Sequence, residues 1–326
     1  MRRAFGRVLA VLLAALLPAA AIEQTYRVYL FGSAAWSYDR LDSVHDLWTS
    51  GLIKPADDRE IVFELVPGTD AFFKLATFRT NAEGLRDIAY PRERPAGAVR
   101  IAVVGSSFTM PAGVPLEGSW HYFLEQRLDA ADPPRKHEAI NFAVGGYSAR
   151  QEIAVLKKKV FAYAPQLVLF EVTTHTPYLQ YPDEFYAKPY VVPPPTHPFW
   201  TSFVIERIRS RFVSLPPDPS PYPADRLAYM DAVMKEAAAL AAAHAVPICF
   251  LVLNMNQENA RNAIALLEVA HRHSPCAVDT TPAFAGMDLA KLAIYPIDQH
   301  PNAIAHGIFA DAMMPRVSRE LAVPAQ

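Results

Sequence analysis

From Val99 onward the chain alternates between short, continuous apolar runs and stretches with helical spacing, and this alternation constrains the fold more than any other feature. Residues 99–104, 139–144, 166–172, 247–253 and 277–280 read as strands. Residues 118–128, 149–161, 225–244, 259–273 and 304–321 read as helices. A strand that is apolar at every position has both faces buried, and parallel strands joined by helical crossovers are the arrangement that buries both. The predicted class is therefore α/β, with a parallel sheet covered on each side. At 326 residues the chain slightly exceeds what one core of roughly 250–300 residues accommodates. One main domain with a small addition fits.

Two stretches break the rhythm. Residues 23–95 hold short apolar pieces interrupted by Pro55, Gly68, Gly84 and Pro91, and read as a small β-rich preamble to a main domain over 96–326. Residues 176–225 are rich in proline around one amphipathic stretch, 199–212, and form an insertion. Its aromatics, Tyr178, Tyr181, Phe185, Tyr186, Tyr190, Phe199 and Trp200, suit either a lid or substrate wall or a surface-packed loop.

The first 22 residues carry Arg2, Arg3 and Arg7, an apolar run from Val8 to Leu17, and the small residues Ala19, Ala20 and Ala21. This has the three regions of a secretory signal; an uncleaved anchor is the rival, since the apolar stretch reaches Ile22 but falls short of the ~20 residues a spanning helix needs. Both readings put the body of the protein outside the cytoplasm, periplasmic or secreted, with membrane attachment possible through the N-terminus. Disulfides are permitted there. Cys249 and Cys276 fall on neighbouring predicted strands, where two buried thiols or one disulfide fit equally. No Cys/His ligand spacing is present, so neither a metal nor a cofactor is expected. A net charge of -2 with scattered Lys and Arg gives no footprint for nucleic acid.

The first strand runs into Gly105-Ser106-Ser107-Phe108-Thr109. Ligands of parallel α/β sheets bind beyond the carboxyl ends of the strands, which is where Ser107 falls, with its hydroxyl and its N–H able to serve one site. A serine hydroxyl needs an imidazole to take its proton and a carboxylate to hold that imidazole. Asp298 and His300, two residues apart in an extended segment, project to one side and supply both, with Pro301 in the first turn of the closing helix. Asn141-Phe142-Ala143-Val144-Gly145-Gly146-Tyr147-Ser148 ends a strand in a Gly-Gly turn that lets a backbone N–H approach an oxyanion.

These blocks, together with Phe78-Arg79-Thr80-Asn81-Ala82-Glu83-Gly84-Leu85-Arg86-Asp87, resemble the SGNH (GDSL-type) hydrolase superfamily, and in particular its extracytoplasmic bacterial members. The resemblance runs from about Phe78 to the end, outside the insertion. It implies a three-layer α/β/α, flavodoxin-like fold and hydrolysis or transfer of acyl groups on carbohydrate or lipid esters. By motif position Ser107 is the nucleophile, His300 the base, Asp298 the orienting acid, and the N–H groups of Ser107 and Gly146 the oxyanion donors. Two positions depart from the family pattern. Ser106 stands where Asp is usual, and His175 falls where an Asn side chain usually donates to the oxyanion, with Thr174 and Thr176 beside it. A neutral imidazole can donate one hydrogen bond, so His175 can stand in.

The remaining conspicuous residues have plain readings. His121, His137, His244, His271 and His273 are expected to be solvated, and Lys157-Lys158-Lys159 to form a charged outer helix face. Asp279 follows a strand without an assigned role. The resulting expectation is a serine esterase acting on a small-molecule or glycan ester, with an O-acyltransferase and a non-catalytic binding protein as alternatives.

Overall fold

The computed structural model describes residues 2–173, 190–212 and 224–322. The chain begins with α1 (Arg2–Phe31), a single 30-residue helix. Residues 10–22 of it are exposed, and from Glu23 onward it docks on the body of the protein. The expectation that the apolar helix is too short to span is corrected here: it does not stop at Ile22. Glu23, Gln24 and Arg27 turn one face toward the protein, where Glu23 pairs with Arg27 at 2.8 Å and Gln24 Nε2 donates to the carbonyl of Ala35 at 3.0 Å. Leu30 and Phe31 are buried against Phe203 and Tyr295. By length and composition, Ala10–Trp36 is the one candidate membrane span among the described residues.

After a short helix, α2 (Tyr38–Asp42), come two antiparallel hairpins, β1 (Ile53–Pro55) with β2 (Phe63–Leu65) and β3 (Asp70–Phe73) with β4 (Ala76–Arg79). The turn of the second is Lys74-Leu75, both residues at positive φ (48° and 71°). That is the backbone of a tight hairpin turn usually given to Asn-Gly. Ile53, Phe63, Leu65, Phe73, Phe78 and Leu85 join the same core cluster as one face of the main sheet.

That sheet has five strands in the order β6 (Lys136–Asn141), β5 (Ala98–Val104), β7 (Leu167–Thr173), β8 (Ile248–Leu253), β9 (Cys276–Asp279), all parallel. Every residue of β5, β7 and β8 is buried, as continuous apolar runs require. The pleat divides them between two faces. Ile101, Val103, Leu169 and Leu251 pack with Trp120, Leu124, Phe309 and Met313 from α3 (Trp120–Ala131) and the last helix, α8 (Ala303–Ala322). Ala102, Val104, Val168, Phe170 and Phe250 pack with α4 (Ala149–Lys158), α6 (Ala224–Ala243) and α7 (Ala260–His273). The architecture is α/β/α in three layers. A further helix, α5 (Phe203–Ser210), lies beside α1, and a last hairpin, β10 (Ala293–Tyr295) with β11 (Asp298–Pro301), precedes α8.

Parallel register places Cys249 directly opposite Cys276, Cα atoms 4.5 Å apart, and the two form a disulfide between β8 and β9. Two of the five histidines expected in solvent are instead buried. His121 is 2% and His137 1% exposed. Packing of α3 against β6 gives both their surroundings: His137 Nδ1 of β6 lies 3.1 Å from Asp129 of α3, and His121 Nδ1 of α3 lies 3.4 Å from the Asn141 amide of β6. Of the three lysines, Lys158 pairs with Asp58 and Glu60, and Lys159 with Glu64, so this helix face holds the preamble as well as meeting solvent.

Candidate active site

The loop after β5 is held from below by a carboxylate. Glu171 of β7, 1% exposed, accepts from Ser106 Oγ at 2.8 Å, Ser106 N at 3.0 Å and Thr109 N at 3.2 Å. A Cβ on Gly105 would fall 2.3 Å from Glu171 Oε2, so glycine is what lets the carboxylate reach the loop. Ser106, backed by Glu171, thus stands just before Ser107 where the family resemblance leads one to expect Asp. Burial raises the pKa of Glu171, and the bonds from Thr109 and Ser106 oppose that rise. Nearby Glu152 of α4 is fully buried, and burial and then the charge of Glu171 push its pKa well up. Ser107 itself is half-buried at the rim of the loop.

Asp298 and His300 meet on β11 as their spacing predicts. His300 Nδ1 lies 2.5 Å from Asp298 Oδ1, which also accepts from the His300 backbone N–H at 3.1 Å. With Nδ1–H donating to the carboxylate, Nε2 carries the lone pair of the neutral ring. The ring lies edge-to-face with Phe108, the neighbour of Ser107, centroids 6.0 Å apart, so the serine loop and the imidazole are adjacent. Pro301 ends β11 rather than opening the helix. Asn302 follows as the cap, its Oδ1 accepting from Ile304 N and Ala305 N, because its side chain can satisfy amides that proline could not.

The other oxygen of Asp298 is taken by Lys74, whose Nζ donates to Oδ2. The two side chains are 8% and 13% exposed. Burial alone would raise the pKa of Asp298; the hydrogen bond and charge of His300, then the Lys74 charge, outweigh it and hold the group ionised well below the usual range. Tyr295 of β10 faces the same carboxylate, and burial followed by that charge keeps its phenol protonated.

The Gly-Gly turn after β6 lies against the serine loop through the bond from Val144 N to the carbonyl of Gly105, 3.3 Å. Gly145 N donates to Met110 Sδ at 3.0 Å. Gly146 has φ 81°, and a Cβ there would fall 2.8 Å from the Trp48 ring, so both conformation and space require glycine. His175, Thr174 and Thr176 lie outside the described residues, as do Tyr178, Tyr181, Phe185 and Tyr186. Within the insertion, Tyr190 packs on Trp48 and Phe63, and Phe199 on Tyr38.

Sequence reasoning missed the grip of the preamble on these loops. Arg86, 1% exposed, donates to the carbonyls of Met110, Pro111 and Val114 just beyond the serine loop. Asp87 accepts from Asn141 N at 2.9 Å, fixing the end of β6. Burial pushes the pKa of Asp87 up to about 8. Lys74 carried no local signal, whereas Glu171 could have been found as the one carboxylate in an otherwise apolar strand. Asp279 binds Thr281 N at 2.8 Å and serves a turn. Among the described residues no cluster of His, Cys, Asp and Glu is arranged to hold a metal ion.

No family model matches the chain, and no curated protein matches it. Solved structures to which it is similar include LAE5, an alpha/beta hydrolase enzyme from the metagenome of Lake Arreo, Spain, at 20% identity over 68% of this chain and 95% of that one, TM-score 0.45. Others are the psychrotrophic esterase EstA from Pseudoalteromonas sp. (14% identity, 69% and 99% covered, TM-score 0.45) and a catalytic mutant of Axe2, an acetylxylan esterase from Geobacillus stearothermophilus (16%, 67% and 94%, TM-score 0.43).

Proposed function

We propose that the protein is a serine esterase of the SGNH type, acting outside the cytoplasm on acetyl or short acyl esters of a carbohydrate or lipid. The observation that carries this reading is the 2.5 Å contact of His300 with an ionised, partly buried Asp298, set beside the loop that bears Ser107. In the first half-reaction Ser107 Oγ attacks the ester carbonyl as His300 Nε2 takes its proton. The N–H groups of Ser107 and Gly146, with His175 as the third candidate, receive the developing oxyanion. Collapse breaks the bond to the alcohol, which leaves with the proton from His300, and an acyl-Ser107 ester remains. Water then attacks that ester with His300 as base, releasing the carboxylic acid and restoring the serine. The exposed apolar part of α1 supports tethering to the membrane, with the catalytic body on the extracytoplasmic side.

The test is hydrolysis of a chromogenic acetyl ester by the full chain. Wild type should turn over; Ser107→Ala and His300→Ala should lose at least about a thousandfold in kcat/KM. Turnover that survives in Ser107→Ala would overturn the reading.

A further inference from the structure

We infer that Lys74 is a positioning residue for the acid–base pair, dividing the Asp298 carboxylate with His300; this rests on the reading of Ser107, His300 and Asp298 as one catalytic set. Lys74 stands 224 residues before Asp298 and reaches it from the tip of the β3–β4 hairpin. That tip places two non-glycine residues at positive φ, a conformation that L-residues rarely adopt. It is held in place by Lys74 N donating to the carbonyl of Ser43 at 2.8 Å and Leu75 N to Ser43 Oγ at 3.0 Å. The chain accepts an unfavourable turn and a buried ammonium, and what both achieve is a cation on Oδ2, the oxygen His300 leaves free. Two consequences follow. The carboxylate plane is fixed, and part of its charge is taken up by Lys74, which weakens its stabilisation of an imidazolium on His300.

The other groups facing this pair are the protonated Tyr295, His306 of α8, which burial holds neutral with a pKa of about 3, and Asp42, His45 and Asp46 from the segment behind Lys74. None of these places a second cation on Asp298. Lys74→Met removes the charge and keeps the length; Lys74→Arg keeps the charge. In Lys74→Met the acidic limb of kcat/KM should move to higher pH by roughly half a unit to one unit, because the protonated base is better stabilised, and kcat should fall about tenfold. Lys74→Arg should keep the limb where wild type has it. NMR titration of the His300 ring reads the same shift without turnover, so an inactive wild type would count against the esterase reading while the ring titration still decides the role of Lys74. A folded Lys74→Met variant with ring titration and acidic limb both unmoved overturns the proposal.

A separate observation concerns where the site is held. The geometry points to α5 and its flank as a platform lying on an anionic bilayer surface, an extension of the tethering proposed for α1. The bare part of α1 ends at Ile22, and the next residue, Glu23, caps α5 by accepting from Ser202 Oγ, Phe203 N and Val204 N. Arg27, one turn on, donates to the carbonyls of Phe199 and Thr201. The start of α5 is therefore fixed at the end of the apolar helix. Beyond that start, Ile205 and Ile208 are exposed at helical spacing on one side, and Trp200 and Phe212, 77% and 85% exposed, flank the helix in the chain. Arg207, Arg209 and Arg211 stand among them against the single acid Glu206. Exposed apolar residues with a flanking Trp and an excess of Arg fit a headgroup layer of negative charge.

Since the described cysteines are paired, a cysteine introduced at Ile208 is a single labelling site. With the full chain in vesicles of phosphatidylcholine and phosphatidylglycerol, a nitroxide there should be reached by oxygen in preference to a water-soluble nickel chelate, and one at Arg207→Cys should show the reverse. A label at Ile208 freely reached by the chelate, or shielded from both reagents as by a protein partner, overturns the platform.

Discussion

Two cations of the preamble are buried within reach of the site, and they are solvated in opposite ways. Arg86 is met by neutral carbonyls of the chain beyond the serine loop, whereas Lys74 is met by the carboxylate that orients the imidazole. A guanidinium among carbonyls spreads its charge over a rigid fork of bonds and touches neither Asp298 nor His300. An ammonium on the orienting acid acts on the electrostatics of proton transfer. The two ends of the site are thus supported differently: the Ser107 side by structural anchoring, the His300 side by charge.

Breaking each support should give a different signature. Arg86→Met leaves the buried carbonyls of Met110 and Val114 without this donor, while that of Pro111 keeps the bond from Val114 N; at about 1–3 kcal/mol each, unfolding free energy should drop by about 4 kcal/mol in denaturant titration. Lys74→Met should cost less in stability and show itself in the pH profile. Opening the Cys249–Cys276 bridge, 27 residues apart, as Cys249→Ala/Cys276→Ala should lower stability by about 3 kcal/mol and leave the acidic limb in place. Gly146→Ala must move the Trp48 ring and adopt an unfavourable φ, for about 1–2 kcal/mol and a fall in kcat larger than the fall in stability accounts for.

A pH-dependent effect tests Asp87 beside Arg86. Its folded pKa of about 8 lies above its unfolded value near 3.8, so between these limits the unfolded chain has released a proton the folded protein keeps. Rising pH therefore lowers the stability of wild type across that window and no further. Asp87→Asn lacks this loss, and its stability relative to wild type should grow by about 1 kcal/mol per pH unit up to pH 8. A flat difference would show that Asp87 is ionised at its bond to Asn141.

The sheet was legible because burial on both faces leaves nearly continuous apolar runs: residues 99–104, interrupted only by Arg100, and 247–253 match β5 and β8 within one residue. Asp298 and His300 were legible because their contact spans two residues. What escaped is non-local. Lys74 and Arg86 look like ordinary turn and loop cations until the fold brings Asp298 and the 110–114 carbonyls to them. His121 and His137 look solvated because their partners, Asn141 and Asp129, come from other elements. The cysteine pairing depended on register, which two runs of apolar residues do not specify.

Whether Ser107 is an activated nucleophile is tested most directly by covalent labelling of the folded full chain with a fluorophosphonate. We predict labelling of wild type that disappears in Ser107→Ala and falls steeply in His300→Ala. A folded wild type that resists the probe, or labelling that persists in Ser107→Ala, would contradict it.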